Sequence, residues 1–138
     1  MKTSQLYLTN KISELEKLRD FMEHIGAHWH IPSSVGMSVN LALEEAFANI
    51  VNHAFTDNKA HEIRFFFQMD GDQLVISITD DGQQFDPTKK EPPDLDLPAE
   101  ERPIGGLGIY LIQKIMDRVE YNRIDHTNQL TLTKRIKQ

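Results

Sequence analysis

The chain contains no cysteine. That excludes disulfides, zinc–thiolate centres and cysteine nucleophiles, and it agrees with a reducing cytoplasm. No stretch approaches the roughly 18 consecutive apolar residues of a membrane span. The opening MKTSQLYLTN lacks the apolar core of a signal peptide. Bases are outnumbered: 15 Lys and Arg face 21 Asp and Glu, a net charge of −6. A nucleic-acid partner is therefore disfavoured. There is no internal repeat and no low-complexity tract. Several standard sites are missing as well. No G-x-x-x-x-G-K-[ST] occurs, and G-x-G-x-x-G fails because Leu111 stands at its sixth position. Kinase-type H-R-D and D-F-G, the zinc motif H-E-x-x-H and the nucleophile elbow G-x-S-x-G are absent too.

What is present fits one domain over residues 1–138, with 39% hydrophobic and 26% charged residues. A chain of this length buries about 68% of its unfolded surface and needs no covalent staple. Gln5–Leu8 reads as a short strand. Thr9 or Asn10 is expected to cap a helix over Ile12–Trp29. His24 and His28 stand at i, i+4, a spacing that can grip a metal, but no third ligand is evident. Histidines also suit the negative end of a helix. Glu62–Met69 and Gln73–Asp80 read as an antiparallel pair joined at Asp70-Gly71. A helix is expected over Ile109–Met116. Strands follow at Val119–Arg123 and Gln129–Ile136, around a polar turn at Asp125–Asn128.

Leu41–Phe55 is the stretch around which the chain is organised. Val35, Val39, Ala42, Leu43, Ala46, Phe47, Ile50, Val51 and Ala54 form one wide helical stripe. At about 100° per residue, Glu45 and Asn49 lie side by side on its margin, with Asn52 and His53 beyond. Groups at the edge of a core face are partly desolvated and need partners. Taken alone, the pair also fits an ordinary solvated helix rim.

Two further blocks narrow the choice. Asp80 is in phase with Leu74, Ile76 and Ile78, so it points to the core side of its strand before Asp81-Gly82 turns the chain. Five of the six prolines fall between Asp86 and Pro103, among six acids. This predicts a long irregular loop. Gly105-Gly106-Leu107-Gly108 then leads into a helix, where backbone N–H groups and the helix dipole favour an anion.

In this order the three blocks resemble the N, G1 and G2 boxes of the GHKL ATP-binding superfamily. Glu45-Ala46-Phe47-Ala48-Asn49 with His53-Ala54, Asp80-Asp81-Gly82 and Gly105-Gly106-Leu107-Gly108-Ile109 most resemble the small anti-sigma factor serine kinases of bacteria. The resemblance implies the Bergerat fold: α+β, a two-layer α/β sandwich with a mixed, mostly antiparallel sheet and helices on one face. It implies ATP and Mg²⁺ as cofactors and an ATP lid over about residues 86–105. By that resemblance Asn49 ligates the Mg²⁺, and Glu45 is the general base for the attacking hydroxyl. Asp80 accepts a hydrogen bond from the adenine amino group, and Gly82 leaves room for the base. Gly106, Leu107 and Gly108 approach the phosphates, and Arg102 adds a phosphate contact. The family often carries Gly-Thr before the last strand, and its Thr helps bind the base. Here Thr127-Asn128-Gln129 stands instead, so that contact is not carried over.

The function so implied is that of a cytoplasmic anti-sigma regulatory factor. It would have ATP-dependent serine/threonine kinase activity towards a STAS-type anti-anti-sigma protein in a partner-switching system. The alternative is a non-catalytic ATP-binding regulator that sequesters a sigma factor or another protein. A homodimer is expected, with no nucleic-acid or membrane partner.

Overall fold

The computed structural model describes residues 1–89 and 106–136. The elements run β1 (Lys2–Thr9), a 3-10 turn (Ile12–Glu14), α1 (Leu15–His28), α2 (Ser33–His53), β2 (Glu62–Asp70) and β3 (Gln73–Asp80). A 3-10 turn at Pro87–Lys89, α3 (Gly106–Ile115), β4 (Arg118–Ile124) and β5 (Thr127–Arg135) complete them. Expected loop positions 90–105, including Arg102 and most of the lid, lie outside the described residues.

The five strands form one sheet in the order β1-β2-β3-β5-β4. A mixed, mostly antiparallel sheet was expected, and among the described residues every neighbouring pair is antiparallel. The cause is the crossover through α3. It sets β4 parallel to β3 but one place away, and the returning strand β5 fills the gap between them. Alternation puts one side of each inner strand into the core. Ile63, Phe65 and Phe67 of β2 lie beside Ile76 and Ile78 of β3, and these beside Leu130 and Leu132 of β5.

The helices cover that face. α1 contributes Leu18, Met22 and Ile25; α2 contributes Val39, Ala42, Leu43, Ala46, Phe47 and Ile50; α3 contributes Ile109 and Ile112. Phe47, fully buried, packs its ring 6.2 Å from that of Phe65. Burying one such side chain stabilises the fold by roughly 1.5–3 kcal/mol. The stripe expected on α2 is therefore the core stripe, with Val35 and Val51 at its half-buried borders.

Some boundaries differ from expectation. Thr9 does not cap a helix, because it remains in β1 opposite Glu62. Instead the Glu14 carboxylate reaches back and accepts from the Thr9 N–H at 3.0 Å and its hydroxyl at 3.1 Å. Those bonds, the first above all, and the neighbouring Lys17 hold the Glu14 carboxyl down at about 2. The first hairpin turns at Gly71-Asp72 rather than Asp70-Gly71, since Asp70 still pairs with Gln73 and Gly71 takes φ +62°. In the last hairpin, Asp125 and His126 both adopt positive φ, 46° and 66°. A tight two-residue turn results, and β5 resumes at Thr127. α3 begins three residues earlier than expected, at Gly106.

Candidate functional site

The α2 margin comes first. Glu45 is half-buried and Asn49 is 8% exposed. Neither side chain has a hydrogen-bond partner among the described residues. Among the described residues the one fully buried side-chain polar atom without a partner is Asn40 Oδ1, so the Asn49 amide keeps contact with solvent and is open to a ligand. The first turn of α3 lies directly against this pair. A Cβ on Gly108 would sit 3.1 Å from Glu45 Oε2 and 3.4 Å from Asn49 Nδ2. The glycine thus lets the α3 backbone approach the carboxylate and the amide. Gly106 and Leu107 open the same helix, whose first N–H groups have no partners within the helix itself. Two of the three sequence blocks are brought together here.

The third block stands at the end of β3. Asp80 is 4% exposed and faces the core side of the sheet, as its phase requires. Its Oδ1 accepts from the Gly82 N–H at 2.9 Å and from Asn128 Nδ2 at 2.9 Å. Burial pushes its carboxyl above the usual carboxylate range. The bonds from Asn128 and Gly82 pull it back, Asp81 adds to the rise, and Arg123 opposes it.

Gly82 meets a different neighbour from the one expected. A Cβ there would fall 2.4 Å from the Ala54 carbonyl oxygen and 2.8 Å from the Ala54 Cβ. The space beside it is occupied by the end of α2. Across this contact the Gln83 N–H donates to the Ala54 carbonyl at 2.7 Å, and Gln83 Nε2 donates to the His53 carbonyl at 2.8 Å. The His53 and Phe85 rings stack at 5.1 Å. The G1 turn is thereby fastened to the helix that carries Glu45 and Asn49.

Asn128 is the residue that sequence reasoning missed. It is 3% exposed and lies opposite Asp80 in the β3–β5 register. Its Nδ2 donates to Asp80 and to the Gln83 carbonyl at 2.8 Å. Its Oδ1 accepts from the Phe85 N–H at 3.3 Å, the Tyr121 hydroxyl at 2.5 Å and Arg123 at 3.1 Å. Arg123 also donates to the Gly82 carbonyl at 2.8 Å. The available signal was phase: Asn128 alternates with Leu130 and Leu132, which is legible once the turn is placed at Asp125-His126.

His24 and His28 sit side by side towards the end of α1, as their spacing requires. Their rings lie 4.0 Å apart, and a His28 ring nitrogen faces the His24 carbonyl at 3.0 Å. Among the described residues no group of three His, Cys, Asp or Glu side chains could hold a metal ion. The residues of the α2 margin do fit Mg²⁺ with nucleotide. Magnesium keeps several waters and takes only one or two protein ligands beside phosphate oxygens. Asn49, with an unpartnered amide next to the α3 backbone, offers one such ligand.

Residues 8–134 match the family model described as a histidine kinase-like ATPase domain. The chain is 30% identical over 132 residues to the serine/threonine-protein kinase BtrW of Bordetella bronchiseptica, covering 96% of this chain and 93% of that protein. It is 38% identical over 88 residues to the serine-protein kinase RsbW of Oceanobacillus iheyensis, covering 61% of this chain and 56% of that protein. It also superposes on a solved structure of the RsbU and RsbW domains of Rv1364c from Mycobacterium tuberculosis. There the TM-score is 0.72 and the identity 16%, over all of this chain and 33% of that one. At that identity the likeness speaks for the fold.

Proposed function

The chain belongs to the histidine kinase-like ATPase domain family, and from that membership we propose an ATP-dependent protein serine/threonine kinase. Its substrate is a serine or threonine of a STAS-type anti-anti-sigma protein. It acts in the cytoplasm as a homodimer that also engages a sigma factor. The observation that carries the reading is the seating of Gly108 against Glu45 and Asn49. One small volume then holds a candidate base, a candidate cation ligand and the amino end of a helix.

The division of labour follows from the groups. Asp80 has its Oδ1 engaged by two N–H donors, and its second oxygen is the acceptor for the adenine amino group. The first turn of α3 directs N–H groups towards the phosphates. Asn49 would hold Mg²⁺, which when bound would neutralise phosphate charge. Glu45 takes the proton of the attacking hydroxyl as its oxygen bonds to Pγ and the bond to the leaving ADP oxygen breaks. Phosphoryl transfer asks chiefly for positioning and charge neutralisation, and these parts supply both.

The test is transfer of labelled γ-phosphate from Mg-ATP to purified STAS proteins. Wild type should label one of them. Glu45→Ala should abolish labelling and keep ATP binding, while Asn49→Ala should lose Mg-ATP binding itself. Undiminished labelling by the Glu45 variant refutes the base. A stable nucleotide complex that labels none of the STAS proteins, yet retains a sigma factor, replaces the kinase with a sequestering regulator.

A further inference from the structure

Every polar atom of the Asn128 side chain is engaged, and its partners belong to two different functions. One is the carboxylate at the end of β3. The others include the Gln83 carbonyl and the Phe85 N–H, backbone groups of the segment that leaves the G1 turn towards residue 86. Tyr121 and Arg123, from β4, hold the amide in this orientation by donating to its oxygen, which leaves the Nδ2 hydrogens for Asp80 and Gln83. A single hydroxyl could not make this set, because it has one hydrogen to give. We propose that Asn128 is a positioning residue that ties the base-binding carboxylate of Asp80 to the root of the following loop at Gln83–Phe85. Recognition of the base and the seat of that loop then depend on one side chain.

The inference rests on the assignment of Asp80 to the adenine, and its chemistry is directional. Asp80 must be an acceptor. Its burial favours the protonated form, and the donors from Asn128 and Gly82 favour the ionised one. Of the other charged groups around it, Asp81 disfavours ionisation and Arg123 favours it, while Glu62 and Arg64 line a cleft together with Asp80 and Asp81. Tyr121 and Asp86 stand further along the same cluster. Without the Asn128 donor the carboxyl should hold its proton to a higher pH.

The experiment measures the Kd for Mg-ATP against pH and amide hydrogen exchange at Gln83 and Phe85. It uses wild type, Asn128→Ala and Asn128→Thr, with thermal melts confirming that each is folded. Asn128→Ala should raise the Kd at neutral pH about tenfold, equivalent to about 1.4 kcal/mol, because Asp80 is no longer held to receive the base. It should also move the acid limb of binding upward by about one pH unit. Asn128→Thr keeps one donor for Asp80, so it should restore most of the acid limb. Exchange at Gln83, Phe85 or both should be faster than wild type in both variants. Should Asn128→Ala keep the wild-type Kd and acid limb, the role at Asp80 is overturned. Unchanged exchange at Phe85 and at nearby Gln83, whose carbonyl Asn128 also holds, overturns the tie to the loop. A wild-type protein that binds no Mg-ATP refutes the proposed function, and with it the base-recognition half of this inference. The exchange measurement still decides the other half.

Discussion

Replacing Gly82 with alanine separates two reasons for a glycine at that position. One is room for the adenine base; the other is the approach of the α2 end. An added Cβ would lie 2.4 Å from the Ala54 oxygen, 2.8 Å from its Cβ and 2.9 Å from its carbonyl carbon. Two of those atoms are backbone, so they cannot swing aside, and the G1 turn must move. Overpacking of this kind costs about 1–3 kcal/mol. The shift also strains the 2.7 Å bond from the Gln83 N–H to the same Ala54 carbonyl, worth about 1 kcal/mol net. The expected loss is therefore about 2–4 kcal/mol. For 138 residues the unfolding entropy near the midpoint is about 290 cal/mol/K, or about 3.5 °C per kcal/mol. Tm should fall by about 7–14 °C. The assay is a thermal melt of the two proteins, with Mg-ATP titrations at a temperature where both are folded. Ala54→Gly on the Gly82→Ala background removes only the 2.8 Å contact, so it should restore part of the loss. A Gly82→Ala protein with wild-type Tm and no ATP binding would refute the packing account, leaving base entry as the reason for the glycine.

Other outcomes follow from features already described. Gly108→Ala should leave Tm nearly unchanged, since its tightest neighbour is the movable end of Glu45 at 3.1 Å; its turnover in the transfer assay should fall. Mg-ATP at 100 times its Kd should stabilise the fold by about 2.7 kcal/mol, and the absence of any thermal shift would count against nucleotide binding. His61 faces Asp57 at 2.7 Å and Asp81 at 3.2 Å, and these carboxylates, Asp57 first, raise its affinity for a proton. The stability it contributes is complete below its unfolded value near pH 6.5 and is lost as pH rises through the higher folded value. Urea melts of His61→Gln should lack that decline. Glu14 behaves oppositely: its contribution is complete above about pH 4.5 and is lost as pH falls through about 2. Glu14→Gln should therefore flatten acid unfolding in that window.

The sequence made α2 readable because a period of 3.6 over 21 residues leaves little choice of face. Asp80 was readable for a similar reason, since a period of two put an acid in phase with three core residues. Asn128 obeys the same rule yet lay hidden. The polar run Asp125-His126-Thr127-Asn128 looks like four residues of turn, whereas two residues at positive φ suffice. Its partner is 48 positions away, a pairing fixed by sheet order rather than by local pattern. Gly82 gave a glycine but no reason for it, because Ala54 arrives beside it from another element. Thr9 looked like a cap, but its pairing with Glu62 keeps it in the strand.

The insertion of β5 between β3 and β4 has a consequence for how the site comes into being. The amino-terminal stretch through β3 brings α2 and Asp80; the carboxy-terminal stretch brings α3, Arg123 and Asn128. They meet along the β3–β5 ladder and the α2–α3 contact. Neither half holds the whole candidate site: Glu45 and Asn49 lie on one side of the seam and Gly108 on the other, and Asp80 and Asn128 are divided in the same way. Pairing across so long a separation is slow to form, because chain closure must precede its reward. A nucleotide that touches both halves would bind only after they have docked. It would therefore act as a clasp on the last step of assembly, most strongly opposing those partial openings in which β4 and β5 peel away together.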